Sequence, residues 1–256
     1  WSSELSKLVS NAFLAQRISS INSISALCEV TGADVQEVSR AVGADSRIGS
    51  KFLNASVGFG GSCFQKDILN LVYLCEHYGL KEVASYWNSV IEINNYQKSR
   101  FTKKIINSLF KTVNQKRIAL FGWAFKKNTN DSRESASIYV CDELINEGAI
   151  ITIFDPKVSE SKVNSDLISL WESKKYSIEE INKKLKNIHF FDNPEDTVKN
   201  THAIAILTEW DIFKNLNFKK LFDVMEKPSF IFDGRKILNK NMLEKIGFNC
   251  YEIGKK

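Results

Sequence analysis

The fold is decided by a short apolar run at residues 117–121, Arg117-Ile118-Ala119-Leu120-Phe121, and by the similar runs that follow it. Further runs of this kind lie at 150–154, 188–191, 203–207, 230–232 and 248–253. Helical patterns separate them near 134–147, 195–200, 217–226 and 240–246. Nearly continuous apolar strands that alternate with helices are typical of a parallel sheet covered on both faces. We therefore predict a doubly wound, Rossmann-like α/β domain over residues 114–256.

Residues 1–113 show a different pattern, because apolar residues recur at helical spacing without any strand-like run. Long helices are predicted over 2–32, from a Ser2 or Ser3 N-cap, and over about 82–110, with a short helix over 34–43. The first helix is rich in Ser and Asn, so one polar face is expected to meet another helix or a ligand. Apolar residues around much of the 82–110 helix indicate that several neighbours surround it, and a second subunit can be one of them. We predict an all-helical domain over 1–113 that can serve for dimerisation.

The most distinctive stretch of the helical half is GFGGSCFQKD at residues 58–67. Its glycines allow positive φ and a close approach to a ligand, and the following apolar spacing predicts a helix from about Ser62 to about Gly79. Cys63 would then lie in the first turn, where unpaired N–H groups favour a thiolate. Most free cysteines are small buried hydrophobic residues. A glycine loop before the thiol and charged residues after it favour a nucleophile instead.

Composition narrows the possible functions of the 256-residue chain. Its 43% apolar and 25% charged residues suit one large or two ordinary globular domains. The net charge is +5, but the lysines are interspersed with acidic residues, so no nucleic-acid-binding surface is indicated. The charge is still compatible with a basic pocket for a small anion. Five cysteines without a CxxC pair indicate reduced thiols in the cytoplasm. Three histidines lack metal-ligand spacing, so no metal site is expected.

The ends of the chain carry little targeting information. No apolar run approaches the length of a membrane span, and no signal-peptide pattern opens the sequence. The chain starts with Trp1-Ser2-Ser3-Glu4 and enters a helix at once, so we expect that further sequence precedes it.

Ligands of doubly wound sheets bind beyond the carboxyl ends of the strands. The run at 117–121 leads into GWAFKKNTNDSRES at 122–135, which lacks GxGxxG and is therefore not a standard dinucleotide fingerprint. This loop offers an aromatic ring and three cations: Phe125, Lys126, Lys127 and Arg133. The run at 230–232 delivers Arg235 to the same edge. Single basic residues are usually only solubilising, but two converging strand ends favour an anion site.

Four separated stretches together resemble the UDP-glucose 6-dehydrogenases, particularly their eukaryotic form: 5–8 with 11–13, 58–67, 122–135 and 232–235. The resemblance covers nearly the whole chain except 157–187, whose excess of Lys and Ser indicates a solvated helical insertion. It implies an enzyme with an N-terminal NAD-binding domain, a helical dimerisation domain and a C-terminal UDP-binding domain. This chain resembles the last two, so the main NAD-binding domain would be absent.

The resemblance also implies a chemistry. UDP-glucose is oxidised twice by NAD to UDP-glucuronate, through a thiohemiacetal and then a thioester on a cysteine. Cys63 matches that nucleophile, and Lys7 matches a lysine that stabilises oxyanions or exchanges protons. Asn11 lies four residues after Lys7 on the same helix face, and Asp67 matches a carboxylate that handles water or protons. A solvated helix face would be the ordinary explanation for Lys7 and Asn11 without the resemblance.

Further contacts follow from the resemblance alone. Substrate contacts are implied for Lys7, Asn11, Arg47, Asn54, Ala55, Ser56, Val57, Gly58, Phe59, Gly60, Phe125, Lys126 and Arg235. Contacts to NAD are implied for Cys63, Phe64, Gln65, Lys66 and Arg133. Arg47 matches an arginine that reaches into the neighbouring subunit's site, and Asn54 departs from a lysine of the animal enzymes. A homodimer or higher homo-oligomer in the cytoplasm is implied, without nucleic-acid or membrane partners.

Three other functions remain open. The first is a UDP-N-acetylmannosamine or GDP-mannose dehydrogenase, which would share the cysteine and the lysine. The eukaryote-like sequences at 58–67 and 125–135 favour UDP-glucose over these substrates. A non-catalytic nucleotide-binding dimerisation module is the second, and we expect this chain to be inactive alone. A cysteine hydrolase or acyltransferase ranks last, because it needs a histidine base and His77, His189 and His202 lie outside the motifs.

Overall fold

The computed structural model describes all 256 residues, Trp1–Lys256. The helices are α1 (Ser2–Thr31), α2 (Val35–Gly43), α3 (Phe64–His77), α4 (Lys81–Ser108), α5 (Ala136–Asn146), α6 (Glu160–Ser173), α7 (Ile178–Leu185), α8 (Pro194–Val198), α9 (Asp211–Lys214), α10 (Phe218–Val224) and α11 (Lys240–Ile246). The strands are β1 (Arg117–Phe121), β2 (Ile150–Phe154), β3 (Ile188–Phe190), β4 (Ala203–Ile206), β5 (Phe230–Asp233) and β6 (Asn249–Glu252).

The chain forms two compact units. One consists of Trp1–Lys98 together with Ile253–Lys256, and the other of Ser99–Glu252. The boundary between the two units lies inside α4, at 98/99. The boundary predicted at 113/114 instead marks the change from helical to strand-like sequence, shortly before β1. The last residues pack with the helical unit through backbone bonds: the Val35 N–H donates to the Gly254 carbonyl at 2.9 Å. The Gly254 N–H in turn donates to a Glu29 carboxylate oxygen at 2.8 Å.

The second unit contains a fully parallel six-stranded sheet with the order β3-β2-β1-β4-β5-β6. Its central strands β1, β2 and β4 are buried almost throughout, which explains their unbroken apolar sequences. The strand order reverses between β1 and β4, and doubly wound sheets bind their ligands beyond the carboxyl ends of the strands at such a point. The predicted doubly wound α/β fold is confirmed.

The first unit is helical, as predicted, and its core lies between α1, α3 and α4. Small residues of α1 and large residues of α3 share this core, including Ala12, Ala15, Ile68 and Leu71. The predicted polar face of α1 is also present: Ser19, Asn22 and Ser25 are buried. Ser19 donates to the Val90 carbonyl of α4 at 2.8 Å, so this face meets another helix.

Two helix starts differ from the predictions. Helix α1 begins at Ser2 after Trp1, and neither serine caps it with a side-chain bond. Helix α3 begins at Phe64 rather than near Ser62, and Cys63 is its N-cap residue. A hydroxyl caps a helix from the residue that precedes the first turn, and in α1 that residue is Trp1. Ser2 and Ser3 both lie inside the helix, so neither can be its cap. The N-cap of α2 at Asp34 and the end of this helix at Gly43 are as predicted.

The segment 157–187 is helical, as predicted, but it is not solvated throughout. It forms α6 and α7, and α6 buries Val163, Leu167 and Trp171 completely against the sheet unit. Their spacing of four residues places them on one face, while Lys and Ser cover the other. The short α9 was not predicted, since four residues are too few to show a period. No helix combines the length with the hydrophobicity that a membrane crossing would require.

Candidate active site

Helices α1 and α3 bring two predicted site residues into direct contact. The amide nitrogen of Asn11 donates to an oxygen of the Asp67 carboxylate at 2.6 Å, although the two residues are 56 positions apart. Packing of the small Ala12 and Ala15 against α3 allows the helices to approach closely enough for this bond. The contact orients a carboxylate at a partly buried position, where it can bind water or a proton.

Cys63 lies one turn before Asp67. Its thiol is exposed, and its carbonyl accepts the Asp67 N–H at 2.8 Å as the first bond of α3. The Ser62 hydroxyl lies 3.6 Å from the sulfur. The thiol therefore stands at the positive end of a 14-residue helix, in reach of solvent or a ligand.

Lys7 lies on α1, one turn before Asn11, and its side chain is exposed. Residues four apart share one face of a helix, so Lys7 and Asn11 project from the same side, as the sequence predicted. The structure joins Asn11 to Asp67 but records no contact between Lys7 and Cys63.

Two amide side chains of α4 hold the glycine loop. Asn94 accepts the Phe59 N–H at 2.8 Å and donates to the Phe59 carbonyl at 3.0 Å. Gln97 donates to the Ser56 carbonyl at 2.7 Å, while Asn22 of α1 accepts the Ser56 N–H at 2.8 Å. These buried bonds satisfy backbone groups that otherwise would have no partner away from water.

Gly58 shows why the loop needs glycine. Its φ is 135°, a left-handed value that L side chains rarely adopt. A Cβ atom there would lie 3.0 Å from the Asn94 amide oxygen and 3.2 Å from Cγ of Lys98. The loop can therefore lie against α4 only without a side chain at this position. Residues 55–61 are buried as a result, whereas Asn54 is exposed.

Arg17 fastens the aperiodic segment before the glycine loop. Its guanidinium donates to the carbonyls of Ile48, Gly49 and Lys51 at 2.7–3.0 Å. Arg47 belongs to the same segment, but it is exposed and pairs with Asp45 at 2.6 Å. The Arg47 guanidinium lowers the pKa of the Asp45 carboxyl below its ordinary value. Within this chain, Arg47 joins none of the other predicted site residues.

In the sheet unit, Arg235 is held at the carboxyl ends of three strands. Its guanidinium donates to the Leu207 carbonyl at 2.7 Å and to the Phe125 carbonyl at 3.0 Å. It also pairs with Glu209 at 3.3 Å. Asp233, at the end of β5, accepts the Arg235 N–H at 3.0 Å. The loops after β1, β4 and β5 therefore converge on this one cation, as the sequence predicted for two of them.

The other predicted residues of the β1–α5 loop are more exposed. The Lys126 ammonium lies 5.3 Å from the centre of the half-buried Phe125 ring, where it remains accessible to a ligand. Lys127 pairs with Asp211 at 2.8 Å. Arg133 is exposed and pairs with Asp131 at 2.8 Å. Phe64, Gln65 and Lys66 form the partly exposed first turn of α3.

Asp155 organises the sheet edge, and sequence reasoning missed it. One oxygen of this buried carboxylate accepts the N–H groups of Trp123 and Ala124 and the indole N–H of Trp210. The other accepts the N–H groups of Lys157 and Val158. An acid directly after β2 could have been noticed as a strand-end residue. Its acceptor sites are filled by the protein, so Asp155 positions loops rather than a ligand.

Comparisons with known proteins identify the family of the chain. Residues 1–96 match the central domain of the UDP-glucose/GDP-mannose dehydrogenase family. Residues 119–240 match the UDP binding domain of the same family. A UDP-glucose 6-dehydrogenase of Drosophila melanogaster is 61% identical over 257 residues, which cover 100% of this chain and 53% of the relative. UDP-glucose 6-dehydrogenase 4 of Arabidopsis thaliana is 56% identical, with 100% and 54% covered.

A solved structure has a similar fold. The UDP-glucose dehydrogenase of the archaeon Pyrobaculum islandicum superimposes with a TM-score of 0.80 at 27% identity. The match covers 99% of this chain and 51% of the archaeal chain. The chain thus spans about half the length of the curated relatives that it matches.

Proposed function

The chain belongs to the UDP-glucose/GDP-mannose dehydrogenase family, and we propose that it is the part of an NAD-dependent UDP-glucose 6-dehydrogenase that carries the reacting cysteine and the UDP-binding sheet. The observation that carries this proposal is the 2.6 Å bond between Asn11 and Asp67, one helical turn from the exposed Cys63. Identities of 52–61% to UDP-glucose 6-dehydrogenases favour UDP-glucose over other nucleotide sugars.

Cys63 is proposed to hold the substrate at the aldehyde level. Its thiolate attacks C6 of the aldehyde, a C–S bond forms, and the carbonyl electron pair moves to oxygen to give a thiohemiacetal. Loss of the hydroxyl proton, together with a hydride from C6 that an NAD cofactor would accept, would convert this adduct to a thioester. Water then attacks the thioester, and the carboxylic acid leaves as the thiol is restored. Covalent capture prevents release of a reactive aldehyde between the two oxidations.

Lys7, Asn11 and Asp67 would handle charge and protons in these steps. The Lys7 ammonium is proposed to stabilise the oxyanion or to exchange a proton with it. Asp67 is proposed to accept a proton from the attacking water, because one of its oxygens is already oriented by Asn11 at 2.6 Å. Asn11 thus fixes the direction of the carboxylate and itself has an amide oxygen for a substrate hydroxyl.

The glycine loop and the sheet edge would bind the rest of the substrate. The Asn54–Gly60 segment is proposed to follow the sugar and diphosphate, with its backbone held by Asn94 and Gln97. In the sheet unit, Lys126 and Arg235 are proposed to contact the nucleotide, and Phe125 lies beside them. The UDP binding domain of the family covers these residues.

NAD is the proposed cofactor, and residues of this chain suit part of it. The first turn of α3, from Cys63 to Lys66, combines N–H groups with an exposed ammonium, which suits an anionic dinucleotide. The exposed guanidinium of Arg133 suits a phosphate in the same way. When bound, NAD supplies the hydride acceptor for both oxidations. The β1–α5 loop has no glycine fingerprint, so these residues would contact the cofactor rather than enclose it.

A homodimer in the cytoplasm completes the proposal. Phe13 of α1 and Tyr86 of α4 are exposed and lie 5.5 Å and 5.1 Å from the Trp87 ring between centroids, and Val83 is exposed on the same helix as Tyr86. An exposed aromatic patch of this kind is typical of an interface. All five cysteines are free, which fits a reducing compartment.

Calorimetric titration with UDP-glucose tests the proposal on this chain. Lys126→Ala should weaken binding about tenfold, since hydrogen bonds to charged groups contribute about 1.5–3 kcal/mol. Arg235→Lys should weaken it as well, because a lysine cannot reproduce the forked guanidinium contacts. The control is Lys199→Ala, an exposed lysine before β4 at the opposite edge of the sheet. Unchanged affinity in both site variants would contradict the assignment.

A further inference from the structure

A second polar cleft opens at the carboxyl edge of the sheet, with a volume of about 470 Å³. It lies between the loops that follow β1 and β2 and includes the first turn of α6. Its polar lining consists of Asn130, Asp131, Arg133, Lys157, Ser159 and Lys162. None of these side chains takes part in the cluster around Arg235, which joins the loops after β1, β4 and β5.

The charges of this cleft are unequal. Three cations line it, but Arg133 pairs with Asp131 at 2.8 Å and Lys162 pairs with Asp166 at 2.6 Å. The Arg133 guanidinium lowers the pKa of Asp131, so this carboxylate is ionised at neutral pH and neutralises one of the cations. Lys157 has no carboxylate partner within the chain. An anion in the cleft would therefore meet one uncompensated ammonium and two cations that are already oriented.

The backbone adds to this positive character. Asp155 accepts the N–H groups of Lys157 and Val158 and so fixes the turn that presents Lys157. The 14-residue α6 begins directly after this turn, with Ser159 as its N-cap. The N-terminus of a helix carries a partial positive charge and favours an anion. Side chains and helix thus act in the same direction on one volume.

We propose that this cleft binds a phosphate group of a nucleotide-sized ligand, through Arg133, Lys157 and Lys162. A phosphate offers several acceptor oxygens, which a guanidinium fork and two ammonium groups can share. The volume exceeds what one phosphate needs, and Asn130 and Ser159 can bond to attached hydroxyl groups. The resemblance implies a cofactor contact for Arg133 only, so Lys157 and Lys162 are new assignments. The role of Arg133 rests on the proposed function, whereas Lys157 and Lys162 are assigned from the geometry of the cleft.

Amide NMR of the labelled 256-residue chain, titrated with inorganic pyrophosphate, tests the site. Shifts at 130–133 and 157–162 are followed separately from shifts around Arg235, so that binding of the probe at the two clusters is distinguished, and UDP is titrated in a separate sample. We expect saturable shifts of the amides of 130–133 and 157–162. Lys157→Met keeps the apolar stem and removes the charge, and it should weaken binding at least about threefold.

The control is Lys199→Met at the opposite edge of the sheet, which should leave the affinity unchanged. Lys157 has no partner to lose, so the variant should keep the amide spectrum of the folded chain outside the cleft. Absence of saturable shifts at 130–133 and 157–162, or an equal loss in the control, would overturn the proposal. Failure of UDP to bind at all would instead count against the proposed dehydrogenase role.

A second titration with NAD identifies the source of the phosphate. If NAD shifts the same amides and pyrophosphate displaces it, the cleft takes the cofactor's phosphate. If pyrophosphate shifts them and NAD does not, the site serves a separate phosphorylated ligand. Both results support a phosphate site, and in both cases the ligand should bind to Lys157→Met with lower affinity than to the wild-type chain.

Discussion

Cys63 differs from the other four cysteines in its surroundings. Cys28, Cys75 and Cys141 are buried, and Cys63 is exposed at the start of α3. Burial raises the pKa of the Cys141 thiol, and burial together with Glu244 raises the pKa of Cys250 to about 12. The thiols of Cys141 and Cys250 therefore stay protonated at neutral pH, and their thiolate populations are very small.

We therefore predict that iodoacetamide labels Cys63 at least about tenfold faster than any other cysteine at pH 7. Peptide mass mapping against time measures the rates. Lys7→Met should reduce the advantage of Cys63 if the ammonium lies near the thiolate, as the proposed mechanism requires. Equal labelling of Cys63 and the buried Cys28 would show that the nucleophile assignment is wrong.

Asp211 gives a prediction about pH. Its carboxylate accepts bonds from Lys127 at 2.8 Å and Lys214 at 2.7 Å, which lower its pKa to about 2. Because the folded pKa lies below the ordinary value of 3.8, the stabilisation is complete above that value and is lost as the pH falls toward 2.

Lys127→Met should raise the Asp211 midpoint toward its ordinary value, since the largest cause of the shift is removed. Carboxyl-carbon NMR between about pH 5 and pH 1 follows the titration, with limits set by about one unit on either side of the two midpoints. Lys219→Met, which breaks only the separate pair with Asp223, serves as the control. A midpoint that is the same in both variants would contradict the ion pair with Lys127.

At the scale of elements, α4 supports the glycine loop as well as the core. Its apolar residues Val90 and Ile91 pack in the helical unit, while Asn94 faces the loop backbone. Asn94 is fully buried, and both functional groups of its amide bond to Phe59. The loop near Cys63 is therefore held at Phe59 by a side chain of α4, in addition to the bonds that Gln97 and Asn22 make to Ser56.

Asn94→Ala should reduce the free energy of unfolding by about 1–3 kcal/mol, because the N–H and carbonyl of Phe59 lose buried partners. Urea denaturation measures the change. Asn95→Ala is the matched control, since the neighbouring Asn95 is exposed on the same helix and should cost less than about 0.5 kcal/mol. Equal losses in the two variants would show that the Phe59 bonds contribute nothing.

At the scale of the whole molecule, the proposed dimer is the assembly that the exposed apolar residues favour. Phe13, Val83 and Tyr86 are 54%, 42% and 52% exposed. Contact between these apolar side chains and water is unfavourable, so a second subunit that covers them would stabilise the chain. Residue Ile178 on α7 is more exposed still, at 79%, but stands alone.

Sedimentation at micromolar concentration should show a dimer for the wild-type chain. Replacing Phe13 and Tyr86 together by Glu should shift it to a monomer, because two buried charges without partners would oppose association. Ile178→Glu should remain dimeric. A wild-type monomer at this concentration would contradict the interface.

The sequence by itself determined the fold class and most elements. Strand β1 at 117–121, β2 at 150–154 and the α2 cap at Asp34 lie where the patterns predicted them, because the burial of one face or of a whole strand leaves a period in the chain. Besides the α1 cap and the short α9, the exceptions were α3, whose start moved to Phe64, and 157–187, whose buried Trp171 was outweighed by Lys and Ser in the average composition.

The tertiary structure alone decided which polar groups meet. Asn11 and Asp67 were both candidates, but their 2.6 Å contact depends on how α1 and α3 are rotated against each other. The bonds of Asn94 to the glycine loop and of Asp155 to two strand-end loops had no sequence signal of their own. Hydrophobic periodicity records how far each element is buried, whereas a buried polar group bonds to whatever partner the packed fold brings within about 3 Å.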